Sequence, residues 1–255
     1  MSDGLNPNEL ERYHKHLQLP EVGVSGQMKL KAASVLVVGV GGLGSPAALY
    51  LAAAGVGRIG LVDDDQVALS NLQRQLLHYV QTLGETKSAS GAKMLSELNP
   101  EIIVNQYTLR LSDDNAAALI KEYAIVLDCT DNYPTRLVIN RVCVAQHKAM
   151  VHGAVFKFEG QVSVFGSPEG PCYSCLYAQK PAEAVIPDPS KIGLIATAPG
   201  VIGVIQANEV IKLLVGIGKP LIGRLLLVDL LEMQFKEIKV NRNSKCPVCG
   251  SETRI

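Results

Sequence analysis

The chain has 255 residues, 47% of them hydrophobic and 19% charged, with 24 Lys plus Arg against 24 Asp plus Glu. This balance excludes a disordered chain and supplies a sizeable core, and a formal net charge of +0 gives no electrostatic reason to expect nucleic acid or a membrane as partner. Residues 1–16 are polar and charged, so no secretory leader is expected, and the longest uncharged apolar stretch, between Lys191 and Gln206, is too short for a bilayer and is interrupted by Pro199. The expected location is the cytoplasm, where six cysteines read as thiols or metal ligands and not as disulfides.

PNELERYHKHLQL has helical periodicity, with Leu10, Tyr13 and Leu17 on one face, and a second helix is expected over 25–32. Residues 1–33 therefore read as an N-terminal helical arm. SVLVVG, from Ser34, is a continuous apolar run of the kind buried on both faces of a parallel sheet. A helix is expected from Gly44 to Ala54, a second strand at IGLVD, and a helix at SNLQRQLL with Ser70 as its N-cap. TKSASGAKMLSEL reads as a helix ended by Asn99 and Pro100. Strands IIVNQYT and AIVLDC enclose another helix, and PTRLVINRVCVAQH is helical with Pro134 in its first turn.

AMVHGAV and GQVSVFG are strand-like, and the proline-rich residues 176–198 are expected to form a long exposed crossover loop. GVIGVIQANEVIKLLVG reads as a helix, and RLLLVDL with QFKEIKV as a hairpin-like end. The alternation of strand and helix predicts an α/β fold: a Rossmann-like, doubly wound, mostly parallel sheet with an antiparallel C-terminal part. Residues 34–165 form the Rossmann-like region and 166–255 the C-terminal part, within one continuous domain.

Gly39, Gly41 and Gly44 fit G-x-G-x-x-G, and Gly42 adds a fourth glycine. Gly39 permits the turn out of the strand, Gly41 and Gly42 let backbone N–H groups approach a phosphate, and Gly44 allows close packing of helix on strand. Asp63 closes the second strand about 20 residues on, where an acid can take ribose hydroxyls. Strand, loop, helix and acid together predict a nucleotide site, and no G-x-x-x-x-G-K-[ST] is present.

Asn71, Arg74 and Gln75 stand at i, i+3 and i+4, on one face of a helix. Lys87 follows, and Asp128 and Asp131 close a strand at the carboxyl edge of the sheet, where ligands sit. Hydride transfer needs few cations there, whereas chemistry at a phosphate needs several. An aspartate beside phosphates needs a bridging cation, which points to Mg²⁺ on Asp131. Taken singly, each of these residues is a solvated charge, and that is the default for Lys87.

Cys172 and Cys175 in CYSC, and Cys246 and Cys249 in CPVCG, are two C-x-x-C pairs that can complete a tetrahedral structural zinc site. A redox disulfide or free buried thiols are the alternatives, but a thioredoxin-like pair opens a helix after a strand, unlike CPVCG near the chain end. Cys129 and Cys143 read as buried core thiols, and no metal-like or triad-like spacing links His14, His16, His78, His147 and His152.

GVGGLG, D-D-D-x-V-x-x-S-N-L-x-R-Q, G-x-x-K, D-C-T-D-N and the two cysteine pairs, in this order along nearly the whole chain, resemble the MoeB/ThiF family of ubiquitin-activating-type adenylyltransferases. The resemblance implies that ATP and Mg²⁺ are used to adenylate the C-terminal Gly-Gly carboxylate of a small ubiquitin-like sulfur-carrier protein. It implies Gly42 and Asp63 on the nucleotide, Asn71, Arg74 and Lys87 on the phosphates, and Asp131 on the metal. It also implies a homodimer in which the N-terminal helix reaches the other subunit's ATP.

Two features depart from the family pattern. Its R-Y-x-R motif reads Arg12-Tyr13-His14-Lys15 here, so Lys15 keeps the charge expected beside the phosphates and loses the planar fork. No cysteine lies between Cys175 and Cys246, which argues against a thioester or persulfide on the crossover loop, and the sulfur donor is expected to be a separate protein. An NAD-dependent oxidoreductase, a zinc-stapled interaction module without catalysis, and a short peptide as acceptor are the alternatives.

Overall fold

In the computed structural model, residues 4–167, 170–177 and 193–250 are described. The N-terminal arm holds α1 (Pro7–Arg12), α2 (His14–Leu17) and α3 (Gly23–Ala32). Asn6 caps α1 and exchanges hydrogen bonds with Glu9, which also pairs with Lys31 at 2.7 Å. Buried Tyr13 receives a hydrogen bond from Asn99 Nδ2 at 2.9 Å. Arg12 donates to the Leu98 carbonyl, so the arm is fastened to its own chain.

The sheet is built from β1 (Ser34–Val38), β2 (Arg58–Val62), β3 (Ile103–Tyr107), β4 (Ile125–Asp128), β5 (Ala149–Phe156), β6 (Glu159–Phe165), β7 (Arg224–Asp229) and β8 (Gln234–Lys239). Their order is β3-β2-β1-β4-β5-β6-β7-β8; the first five pair in parallel and the last three join antiparallel. The doubly wound sheet with an antiparallel C-terminal part is thus as the sequence predicts. A single sheet runs across residue 165, because β6 pairs with β7.

The helices α4 (Gly44–Ala53), α5 (Lys87–Leu98), α6 (Asp113–Lys121), α7 (Tyr133–Ala145), α8 (Tyr173–Leu176) and α9 (Thr197–Val215) complete the fold. In β1, Val35 and Val37 join one hydrophobic cluster with residues of α4 and α9, while Leu36 and Val38 join the other with residues of α6 and α7. Alternation of side chains along the strand explains why an unbroken apolar run is needed here. β1 lies between β2 and β4, so the chain reverses its winding at that point and opens a crevice at the carboxyl edge.

Three local expectations are corrected. SNLQRQLL does not form a helix capped by Ser70; a 3₁₀ turn at Leu69–Asn71 leads into further turns. Asn71 Oδ1 accepts from Ala68 N at 3.0 Å, the local side-chain bond by which asparagine competes with helix. Helix α9 begins before Pro199, which fits the first turn, where its missing N–H costs nothing. With 19 residues and mean hydropathy 1.4, α9 is long and apolar enough to cross a membrane, contrary to the count from sequence. Half of it is buried, against α3, α4, β5 and β6. Of the expected crossover loop, residues 178–192 lie outside the described residues.

Candidate active site

The chain leaves β1 through Gly39, whose φ of +90° belongs to glycine; a Cβ there would stand 2.7 Å from the Cys129 carbonyl oxygen. A Cβ on Gly44 would stand 2.0 Å from the Gly39 carbonyl oxygen, so the first turn of α4 closes over the loop only without one. Asp63 Oδ2 accepts from Val40 N at 2.7 Å, and its other oxygen accepts from Asp65 N at 2.9 Å. Burial pushes the Asp63 carboxyl up, against the Val40 N–H and Lys87, which favour its ionised form. No described acceptor pairs with the N–H of Gly41 or Gly42, and both glycines face a cavity of about 1090 Å³.

The cavity spans the crevice predicted by the strand order. Gly39, Asp63, Arg74, Gln75, Lys87 and Asp131 line it together with these two glycines. Asn71 and Gly44 are not in its wall; they hold the turns that carry Arg74 and the glycine loop. Arg12 and Lys15 are also outside the cavity of their own chain. Lys87, whose default reading was a solvated charge, is 7% exposed and pairs with Asp65 at 2.7 Å. Gln75 is buried against Gly41, with its Oε1 lacking a partner among the described residues. Exposed Asp131 stands on the rim beside Thr130. A group with phosphates fits here: N–H donors without a described acceptor and the cationic side chains of Arg74 and Lys87, among others, converge on one space.

The sequence reading passed over Arg136. It enters the cavity from the first turn of α7, with Nε 3.9 Å from Asp128 Oδ2. Asp128 is fully buried and accepts from Thr130 Oγ1 at 2.7 Å and from His152 Nδ1 at 2.6 Å. Burial alone would raise the Asp128 carboxyl, but His152, Arg136 and Thr130 together hold it below the usual range. Burial lowers His152 in spite of its bond to Asp128, so a neutral imidazole serves an ionised carboxylate. The available signal was Arg136 one helical turn inside a helix starting at the sheet's carboxyl edge.

The four cysteines meet. Their sulfur atoms all lie within 4.8 Å of one another, with Cys172 to Cys246 at 3.6 Å, Cys175 to Cys249 at 3.3 Å and Cys172 to Cys175 at 3.9 Å. All are free thiols. A tetrahedron of thiolates around Zn²⁺ has edges of about 3.8 Å, whereas a disulfide bond is about 2.05 Å. The donor set therefore fits zinc, and it ties the chain end to α8.

The sequence profile of the ThiF family matches residues 13–248. The chain is 47% identical over 249 residues to a sulfur carrier protein adenylyltransferase of Thermus thermophilus, covering 96% of this chain and 92% of that one. It is 42% identical to the SAMP-activating enzyme E1 of Haloferax volcanii, over 98% of this chain and 92% of the other. It is 44% identical to the adenylyltransferase and sulfurtransferase MOCS3 of Xenopus laevis, of which it spans only 56%. Among solved structures, E. coli MccB with ATP superimposes with a TM-score of 0.82 at 26% identity, over 93% of this chain and 74% of that chain. The glycine cradle, the cavity beside it and a sequence match running through both to the last cysteine pair lead to one conclusion: the chain belongs to the ThiF family.

Proposed function

We propose that this chain is an adenylyltransferase that activates the C-terminal carboxylate of a small ubiquitin-like sulfur carrier with ATP, releasing pyrophosphate. The observation that carries the reading is the convergence of Lys87, Arg74 and Arg136 with the free N–H groups of Gly41 and Gly42 on one cavity. A nicotinamide site would leave the near-complete burial of Lys87 without a purpose.

The glycine loop would hold the triphosphate, and Asp63 the ribose. A carrier carboxylate oxygen attacks the α-phosphorus, the bond from that phosphorus to the bridging oxygen breaks, and pyrophosphate leaves with the electron pair. No side chain acts as a nucleophile. Lys87, Arg74 and Arg136 offset the negative charge that gathers as two anions meet. Asp131 would hold Mg²⁺, which neutralises phosphate charge when bound. A Gly-Gly tail suits the acceptor because it is slim enough to reach a recessed phosphate.

Four finer parts belong to the same proposal. Cys172, Cys175, Cys246 and Cys249 hold a structural zinc. The working form is a homodimer whose Arg12 and Lys15 reach the other subunit's ATP; exposed Lys15 forms no ion pair among the described residues, which supports this. Sulfur comes from a separate donor, and with no cysteine between Cys175 and Cys246 no thioester or persulfide forms on the crossover loop. The site of action is the cytoplasm, with neither nucleic acid nor membrane as partner.

The test is ATP–pyrophosphate exchange against a panel of purified Gly-Gly carriers and short peptides. Exchange with a carrier, lost in Asp131→Ala at unchanged fold, is the expected result. Nicotinamide binding with no exchange for any acceptor would overturn the reading.

A further inference from the structure

Behind the glycine loop lies His78, 5% exposed and so far without a role. Its Nε2 is 3.0 Å from the Val40 carbonyl oxygen, and its Nδ1 is 2.9 Å from Ser90 Oγ on α5. Val40 itself is fully buried, and its N–H is held by Asp63 Oδ2. The residue between Gly39 and Gly41 is therefore fixed at both ends of its backbone, from two different elements.

The direction of these bonds has a consequence for the phosphate site. In a trans peptide the C=O and the following N–H point to opposite sides. With the Val40 carbonyl turned back toward His78, the N–H of Gly41 must face away from it, on the cavity side. Gly41 has no Cβ to resist rotation, and a Cβ there would meet nothing closer than 3.5 Å. A flipped Val40–Gly41 peptide would present a carbonyl oxygen to the triphosphate in place of a donor. A hydrogen-bond donor behind the loop, at the Val40 carbonyl, opposes that flip directly.

We propose that His78 is a positioning residue for ATP: its Nε2–H locks the Val40–Gly41 peptide so that the Gly41 N–H faces the phosphates. The lock needs one tautomer. Ser90 Oγ–H donates to Nδ1, which leaves the proton on Nε2; the opposite tautomer would set a nitrogen lone pair against the Val40 oxygen. Burial lowers His78, and the nearby Lys87 acts in the same direction, while the Val40 carbonyl and Asp63 pull the other way, so the ring is neutral with a single N–H at neutral pH. This inference rests on the proposed ATP site.

Calorimetric titration of ATP with Mg²⁺ into the unaltered chain comes first; no binding there sinks the proposed function and this inference with it. Given binding, His78→Leu should weaken ATP about tenfold, while His78→Gln, whose Nε2 can still donate to Val40, should stay near the unaltered value. A long-range proton–nitrogen NMR spectrum of the unaltered chain should show the Nε2–H tautomer. Unchanged affinity in folded His78→Leu, equal losses in both variants, or the Nδ1–H tautomer would each overturn the inference while leaving the ATP reading intact. Should His78→Leu fail to fold, Ser90→Ala and the tautomer decide: weaker ATP binding with Nε2–H in the unaltered chain supports the lock, and either opposite result ends it.

Discussion

Lys87 and Asp65 meet at 2.7 Å across the rim of the cavity, yet the lysine side chain is 9% exposed and the aspartate 69%. A pair with one end in water is screened and contributes about 0–1 kcal/mol. A triphosphate carries more charge and would displace Asp65 from the ammonium. Lys87→Met is therefore expected to lower pyrophosphate exchange about 10²-fold, with Asp65→Asn near the unaltered rate. Equal losses in the two variants would mean that the pair acts as a unit and not as a cation awaiting phosphate.

Two glycines of one loop should separate stability from binding. A Cβ on Gly44 would collide with backbone at 2.0 Å, so Gly44→Ala should lose about 1–3 kcal/mol or more in urea unfolding. On Gly41 the nearest atom is the Gln75 Nε2 at 3.5 Å, an ordinary contact. Gly41→Ala should keep its unfolding midpoint and lose ATP affinity, because the methyl occupies the space where a phosphate must approach.

Acid should destabilise the fold in two stages. His152 and His78 are both held below their ordinary value, so between about pH 6.5 and their folded values the unfolded chain binds more protons. Stability contributed by their neutral forms is full above about pH 6.5 and falls as pH drops below it. Asp128 is also lowered; its contribution is present above the ordinary carboxylate range and is lost as pH falls through its folded value. Melting temperatures measured from pH 8 to pH 3 should show both declines, and the first should be shallower in His152→Gln. A flat profile between pH 7 and pH 5 would contradict the buried neutral imidazoles.

The cysteine cluster should behave as a staple. Metal analysis of chain purified without chelator should give one zinc per chain, and its removal should lower the melting temperature. Cys249→Ser should do the same, because a lost ligand loosens the chain end from α8. Pyrophosphate exchange by metal-free chain that is still folded should stay close to normal, since the four sulfurs leave no open position for chemistry.

Much of this was legible in the chain. Continuous apolar runs such as SVLVV mark strands buried on both faces, and the glycine spacing marks the tight loop at the end of the first, beside the cavity. The C-x-x-C pairs gave the staple, because thiols at that spacing share one side of a turn. Spacing alone leaves Lys87 a solvated charge, and only the family resemblance sets it beside phosphates, because burial is a property of what packs around a residue. The segment after Asp63 was misjudged as a helix because the Asn71 side chain bonds the backbone locally, which spacing alone does not reveal.

Local order along the chain thus determined the sheet, the glycine loop, the two cysteine pairs and several of the charged residues that line the cavity. Only the folded structure decided which distant groups serve them. Asp128 and His152 are neighbours because β4 and β5 pair in that register, and His78 meets Val40 because the turns before α5 run behind the glycine loop. Such contacts join residues 24 and 38 positions apart. They depend on strand pairing and packing across the whole sheet, which no short stretch of sequence encodes.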